Sequence, residues 1–215
     1  MINRELFIWV LPFALLLTTF AAFHFLAKKF GQKSGYFLGF VFYWVVWCLL
    51  IPKIFLSGKE IKELFSFDLS SLKEKSFINL LCLIAPLILA CGYALPKALH
   101  HATFKIILLS LILALVNAPL EELLWRGLYL KFFGDNQLLF ILYSSFGFAI
   151  WHFAPQTIFP NKAPGGQWSF VAVAFILGVL YSIVVKNTNS ILLTSASHFL
   201  FDFSGLGGRI YFRKS

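Results

Sequence analysis

Ala118-Pro119-Leu120-Glu121-Glu122-Leu123-Leu124-Trp125-Arg126 stands inside an apolar run that extends over residues 104–133. Wound as a helix at about 1.5 Å per residue, such a run is long enough to cross the roughly 30 Å hydrocarbon core of a bilayer. Six further apolar runs, over 6–26, 36–56, 77–95, 138–153, 168–185 and 190–206, accompany it. The chain is 60% hydrophobic and only 13% charged, with a mean hydropathy of +0.83, whereas a soluble domain carries about 25% charged residues. The pattern predicts an all-α, polytopic transmembrane bundle of about seven spans. Residues 1–215 are expected to form one integral membrane domain.

The first run is longer than the core of a cleavable signal and is followed by Lys28 and Lys29, so it reads as an anchor. Residues 57–76 mix Lys59, Glu60, Lys62 and Glu63 with Ile61, Leu64 and Phe65, the composition of an amphipathic segment lying on the membrane surface. The connection over 154–167 holds Pro155, Pro160, Pro164, Gly165 and Gly166 and reads as an irregular loop over the mouth of a site. A net charge of +9 without basic stripes among aromatics points to anionic lipid headgroups and away from nucleic acid. With seven crossings, nine Lys and Arg fall on each side, so the positive-inside rule sets no orientation. Cys48, Cys82 and Cys91 sit in apolar runs without paired spacing and read as apolar filler.

Two carboxylates and a guanidinium inside an apolar helix each carry an insertion cost of about 2.5–3.5 kcal/mol at mid-bilayer. They persist where they pair or work. Glu122 and Arg126 are four apart and can pair along the helix. Glu121 points roughly 100° away, on a stripe with Ala114, Asn117 and Ala118 that suits close helix packing, so its partners must come from other helices. Pro119 is expected to kink the helix just before it. His152 ends the next run, with Ser145 and Phe148 on its face. Thr194, Ser195, His198, Asp202 and Gly205 form a polar stripe down the last run, and lipid cannot face such a stripe. Turning Glu121, His152, His198 and Asp202 toward one pocket satisfies all four. His100 and His101 read as solvated loop residues, and His24 has no acidic neighbour.

Glu121-Glu122-x-x-x-Arg126, Phe148-x-x-x-His152 and His198-x-x-x-Asp202 resemble, in order and placement, the three motifs of the CAAX protease and bacteriocin-processing family. These are intramembrane endopeptidases similar to type II CAAX prenyl proteases. The resemblance covers about residues 106–205, the expected catalytic core; the first three runs add only hydrophobicity. It implies hydrolysis of a peptide bond of a membrane-anchored protein or peptide, with Glu121 and His152 activating water and His198 and Asp202 stabilising the oxyanion. Glu122, Arg126 and Phe148 then support the site. The eukaryotic type II enzymes carry asparagine where this chain has Asp202, and a carboxylate donates only when protonated, so orienting His198 is a second role open to it.

The family is often labelled as metalloproteases, and a zinc ion would take Glu121, His152 and His198. The paired-histidine helix of the usual zinc proteases is missing, and the expectation is a reaction without a cofactor. The compact chain looks more like bacterial members, which places it among the lipids of a bacterial cell membrane. Two other classes compete: a catalytically silent immunity or scaffold protein, and a proton- or ion-coupled transporter, against which the lack of an internal repeat argues. A serine protease built on Ser144, Ser145 or Ser195 has no flanking nucleophile pattern.

Overall fold

The computed structural model describes residues 4–66, 76–100 and 102–212. Among them every regular element is helical. We number them α1 (Glu5–Phe30), α2 (Gln32–Phe55), α3 (Gly58–Leu64), α4 (Ser76–Leu99), α5 (Phe104–Phe133), α6 (Gln137–Gln156), α7 (Gly166–Thr188), α8 (Leu192–Ser204) and α9 (Arg209–Phe212). Six of them, α1, α2, α4, α5, α6 and α7, are long and apolar enough to cross a membrane. The last predicted run folds as α8, a helix of 13 residues. At about 1.5 Å per residue it covers roughly 20 Å, less than the hydrocarbon thickness.

The starts of these helices follow from their sequence. Thr103 accepts from the Ile106 amide ahead of α5, and Asn136 accepts from the Leu139 amide ahead of α6. Both side chains satisfy donors that a helix start leaves open. Gly31, at φ 83°, turns the chain between α1 and α2, a backbone conformation that costs glycine nothing. The two helices then run so close that a Cβ on Gly35 would stand 2.3 Å from the Ala27 backbone.

Three stretches widen to π-helical turns: Tyr43–Leu50 in α2, Ala90–Ala94 in α4 and Leu123–Leu128 in α5. The first two lead into Pro52 and Pro96, which lack the N–H that a regular helix needs. The third contains Arg126 and begins immediately after Glu122. Single π-turns of this kind concentrate at functional sites.

Large apolar side chains cover the outside. Phe77 and Phe104 are each 76% exposed and Leu17 70%, a surface suited to lipid and costly in water. The interior is aromatic. Tyr43 stacks on Trp151 with ring centroids 3.8 Å apart, and Trp125 Nε1 donates to the Tyr43 hydroxyl at 2.9 Å. This joins α2, α5 and α6 around a dry centre that fixes the acid-bearing turn of α5.

The short α8 is held in place by α3. The Leu64 carbonyl accepts from the Ile191 amide at 2.8 Å and from the Ser190 hydroxyl at 3.1 Å. Ser57 and Glu60 form a reciprocal capping box at the start of α3, and Lys131 at the end of α5 binds Glu60 at 2.6 Å. The predicted surface segment is thus a short helix docked under α8 in its described part; residues 67–75, like His101, lie outside the described residues.

Candidate active site

Glu121, Glu122 and Arg126 are all fully buried at the π-turn of α5. Arg126 Nη1 stands 3.1 Å from Glu122 Oε1, the ion pair expected from the spacing. None of the guanidinium nitrogens makes an aligned hydrogen bond. The charge is held instead by the carboxylate and two ring faces, with Phe148 at 4.3 Å and Tyr181 at 5.8 Å from the guanidinium carbon. Desolvated cation–π contacts of this sort contribute about 2 kcal/mol.

Glu122 has a second partner that the sequence did not disclose. His198 Nδ1 lies 3.0 Å from the same Oε1. Because a carboxylate accepts, Nδ1 carries the hydrogen, and Glu122 fixes which edge of the imidazole faces the site. The other edge, Nε2, stands 3.5 Å from Glu121 Oε2 and 3.5 Å from Asp202 Oδ1. Both ring nitrogens of His198 therefore face carboxylates.

Asn117 completes the cluster. Its amide nitrogen donates to Glu121 Oε2 at 3.0 Å and to Asp202 Oδ2 at 2.8 Å, while its oxygen accepts from Trp44 Nε1 at 2.7 Å. The sequence offered Asn117 only as a small-residue position in a packing stripe. Its place four residues before Glu121 was the available signal, and Trp44 gave none.

On α6, His152 Nδ1 donates to the Phe148 carbonyl at 2.7 Å. A carbonyl can only accept, so the neutral ring presents Nε2 as its basic nitrogen. Phe148 meets both site imidazoles edge to face, His152 at 4.8 Å and His198 at 5.7 Å. It thereby spaces the two histidines besides covering Arg126.

Glu121, Asn117, His152 and Asp202 line one cavity of about 480 Å³. His198 stands behind this wall and contributes no lining, so three of the four expected residues face the cavity and the fourth touches two of them. The rest of the lining is largely aromatic, including Tyr36, Phe40, Trp151 and Phe170. Phe159, Pro160, Lys162 and Ala163 bring the 157–165 connection to its rim, where a loop over the mouth was expected. Asn161 braces that loop through its amide, which donates to Gln156 Oε1 at 2.6 Å.

Several expected bystanders are such. His24 Nδ1 bonds the Phe20 carbonyl within its own helix. Ser144 and Ser145 donate to carbonyls one turn back, leaving neither hydroxyl aimed at an imidazole. Among the described residues no group of three or more His, Cys, Asp or Glu is arranged to hold a metal ion.

A family model described as Rce1-like, type II CAAX prenyl endopeptidase Rce1-like, matches residues 103–204. That segment is similar to this family. Neither the curated proteins nor the solved structures gave a match. The matched segment takes in α5 to α8 and with them every motif residue of the cavity; from outside it the cluster receives Trp44.

Proposed function

We propose that the chain is an intramembrane endopeptidase that hydrolyses a peptide bond of a membrane-associated protein or peptide. Glu121 and His152 activate the water in this reading. The observation that carries it is the convergence of α5, α6 and α8 on a single cavity, with Glu121, His152 and Asp202 in its wall and His198 Nε2 3.5 Å from two of them. Water loses a proton to Glu121, and its oxygen attacks the scissile carbonyl carbon. The proton then passes to the departing amine as the C–N bond breaks. His198, held at Nδ1 by Glu122 and turned with Nε2 toward Glu121 and Asp202, acts from behind the cavity wall, where as an imidazolium it would offset the charge that develops on the carbonyl oxygen. Asp202 steadies that ring, with Asn117 holding its other oxygen.

The side chains do this without a metal. The cavity's aromatic lining favours an extended apolar peptide segment arriving from the surrounding lipid. A bacterial cell membrane is the location in this reading, and residues 106–205 are its catalytic core. The test is comparative identification of new peptide termini in membranes that contain the wild-type protein, Glu121→Gln, or neither. The expected result is a new terminus beside a membrane segment in the wild-type sample alone. The same terminus with Glu121→Gln would overturn the reading in favour of a scaffold or another protease.

A further inference from the structure

We infer that Asn117, locked by Trp44, is a positioning residue that decides which oxygen of Glu121 takes the proton; this rests on the endopeptidase reading above. The side-chain amide has one face of each kind. Its oxygen meets the indole N–H of Trp44 at 2.7 Å, and its nitrogen meets Glu121 Oε2 at 3.0 Å and Asp202 Oδ2 at 2.8 Å. An indole nitrogen only donates, and a carboxylate only accepts. Rotating the amide by half a turn would set donor against donor at Trp44 and acceptor against acceptor at both carboxylates. The network therefore fixes the amide in one orientation.

Three consequences follow for the carboxylates. Each of the two amide hydrogens serves one acid, so Glu121 and Asp202 are tied to one rigid group on α5. Oε2 of Glu121 and Oδ2 of Asp202 are occupied as acceptors. That leaves Oε1 of Glu121, a buried oxygen that neither Asn117 nor His198 engages, as the more open of the two to a proton, with the Tyr43 hydroxyl as a further hydrogen-bonding neighbour of this carboxylate. It also directs any proton on Asp202 to Oδ1, the atom 3.5 Å from His198 Nε2. Trp44 lies on α2, outside the segment that carries the family motifs, so the N-terminal half supplies a part of the site and not merely an anchor.

The two variants that separate this from general packing are Asn117→Leu, which keeps the bulk and removes both donors, and Trp44→Phe, which keeps the ring and releases the amide. Isotope-edited infrared spectra of protein carrying labelled Glu and Asp report each carboxylate without turnover, with Glu121→Gln and Asp202→Asn assigning the bands. Both bands are expected to move in Asn117→Leu, and more weakly in Trp44→Phe. With the peptide identified from the membranes, kcat should fall by roughly 10- to 100-fold in Asn117→Leu with KM little changed, the size expected for lost charge-assisted hydrogen bonds. Unmoved bands, or a wild-type kcat, in folded Asn117→Leu would overturn the inference. Should that variant fail to fold, unmoved bands in Trp44→Phe overturn it by themselves. A wild-type protein that cleaves nothing would sink the endopeptidase reading, while the infrared result would still decide the clamp.

Discussion

Glu121 and Glu122 are adjacent in sequence and equally buried, yet they belong to two different regions of the molecule. Glu122 lies in a closed pocket with Arg126, Phe148, Tyr181 and the Nδ1 edge of His198. Glu121 lies in the wall of the cavity with Asn117, Asp202 and His152. The first region satisfies charge with charge and ring faces and leaves no room for a reactant. Each acid has one buried oxygen without a hydrogen bond, Oε1 of Glu121 and Oε2 of Glu122, but only Glu121 borders a cavity that a reactant can enter. A rotation of roughly 100° along one helix separates an acid that holds the structure from an acid free to exchange a proton, and His198 joins them by touching one with each nitrogen.

Neutralising each acid in turn separates the two roles by the largest effect. Glu121→Gln keeps the size and the bond from Asn117 and removes basicity. Cleavage should fall by about 10²–10⁴-fold, the range for a general base, with thermal unfolding in detergent close to wild type. A Glu121→Gln protein that unfolds but, when folded, still cleaves would exchange the two roles.

Removing the guanidinium attacks the closed region instead. Arg126→Ala strands the Glu122 carboxylate without its cation, and breaking a buried pair typically costs about 3–5 kcal/mol. Lower folded yield and a lower unfolding temperature are expected. Arg126→Lys should recover only part of the loss, since an ammonium cannot spread over the Phe148 face as a planar guanidinium does. A normally folded Arg126→Ala without turnover would move Arg126 into the catalytic set.

The fold was legible because hydrophobic periodicity and length are local properties. The run over 104–133 became α5 without adjustment, and the pairing of Glu122 with Arg126 followed from spacing on one helix. What was not legible depended on neighbours far along the chain. Trp44 and Asn117 are 73 residues apart, and nothing in either segment announces the other. The Glu122–His198 bond spans 76 residues, which is why spacing along one helix offered only Asp202, one turn away, as a group that could orient His198, and gave no sign of Glu122 at the opposite nitrogen. Hydropathy also measured the last run without revealing that α8 is short, because its start is set by hydrogen bonds from Ile191 and Ser190 to Leu64 in α3.

The smallest expected effect tests the outer rim of the same scaffold. Hydrogen bonds from Lys131 and from the Ser57 backbone and hydroxyl lower the carboxyl of Glu60 to about 2. A lowered value means that its support of α3 is complete above the ordinary glutamate range, near pH 4, and is lost as pH falls toward 2. The side chain is 39% exposed, so the contribution is only about 0.2–1 kcal/mol. Hydrogen exchange of the Gly58–Leu64 amides should accelerate over that window in wild type and show no such step in Glu60→Gln. Equal behaviour of the two proteins would place the anchoring of α8 elsewhere.

The central claim is that this chain's own carboxylate and imidazole activate the water. Its most direct test is the cleavage rate of the purified protein, on the peptide identified in membranes, before and after exhaustive chelation with the metal content checked by elemental analysis. An unchanged rate with no bound metal is the expected result. A rate that disappears on chelation and returns when zinc is added would contradict it.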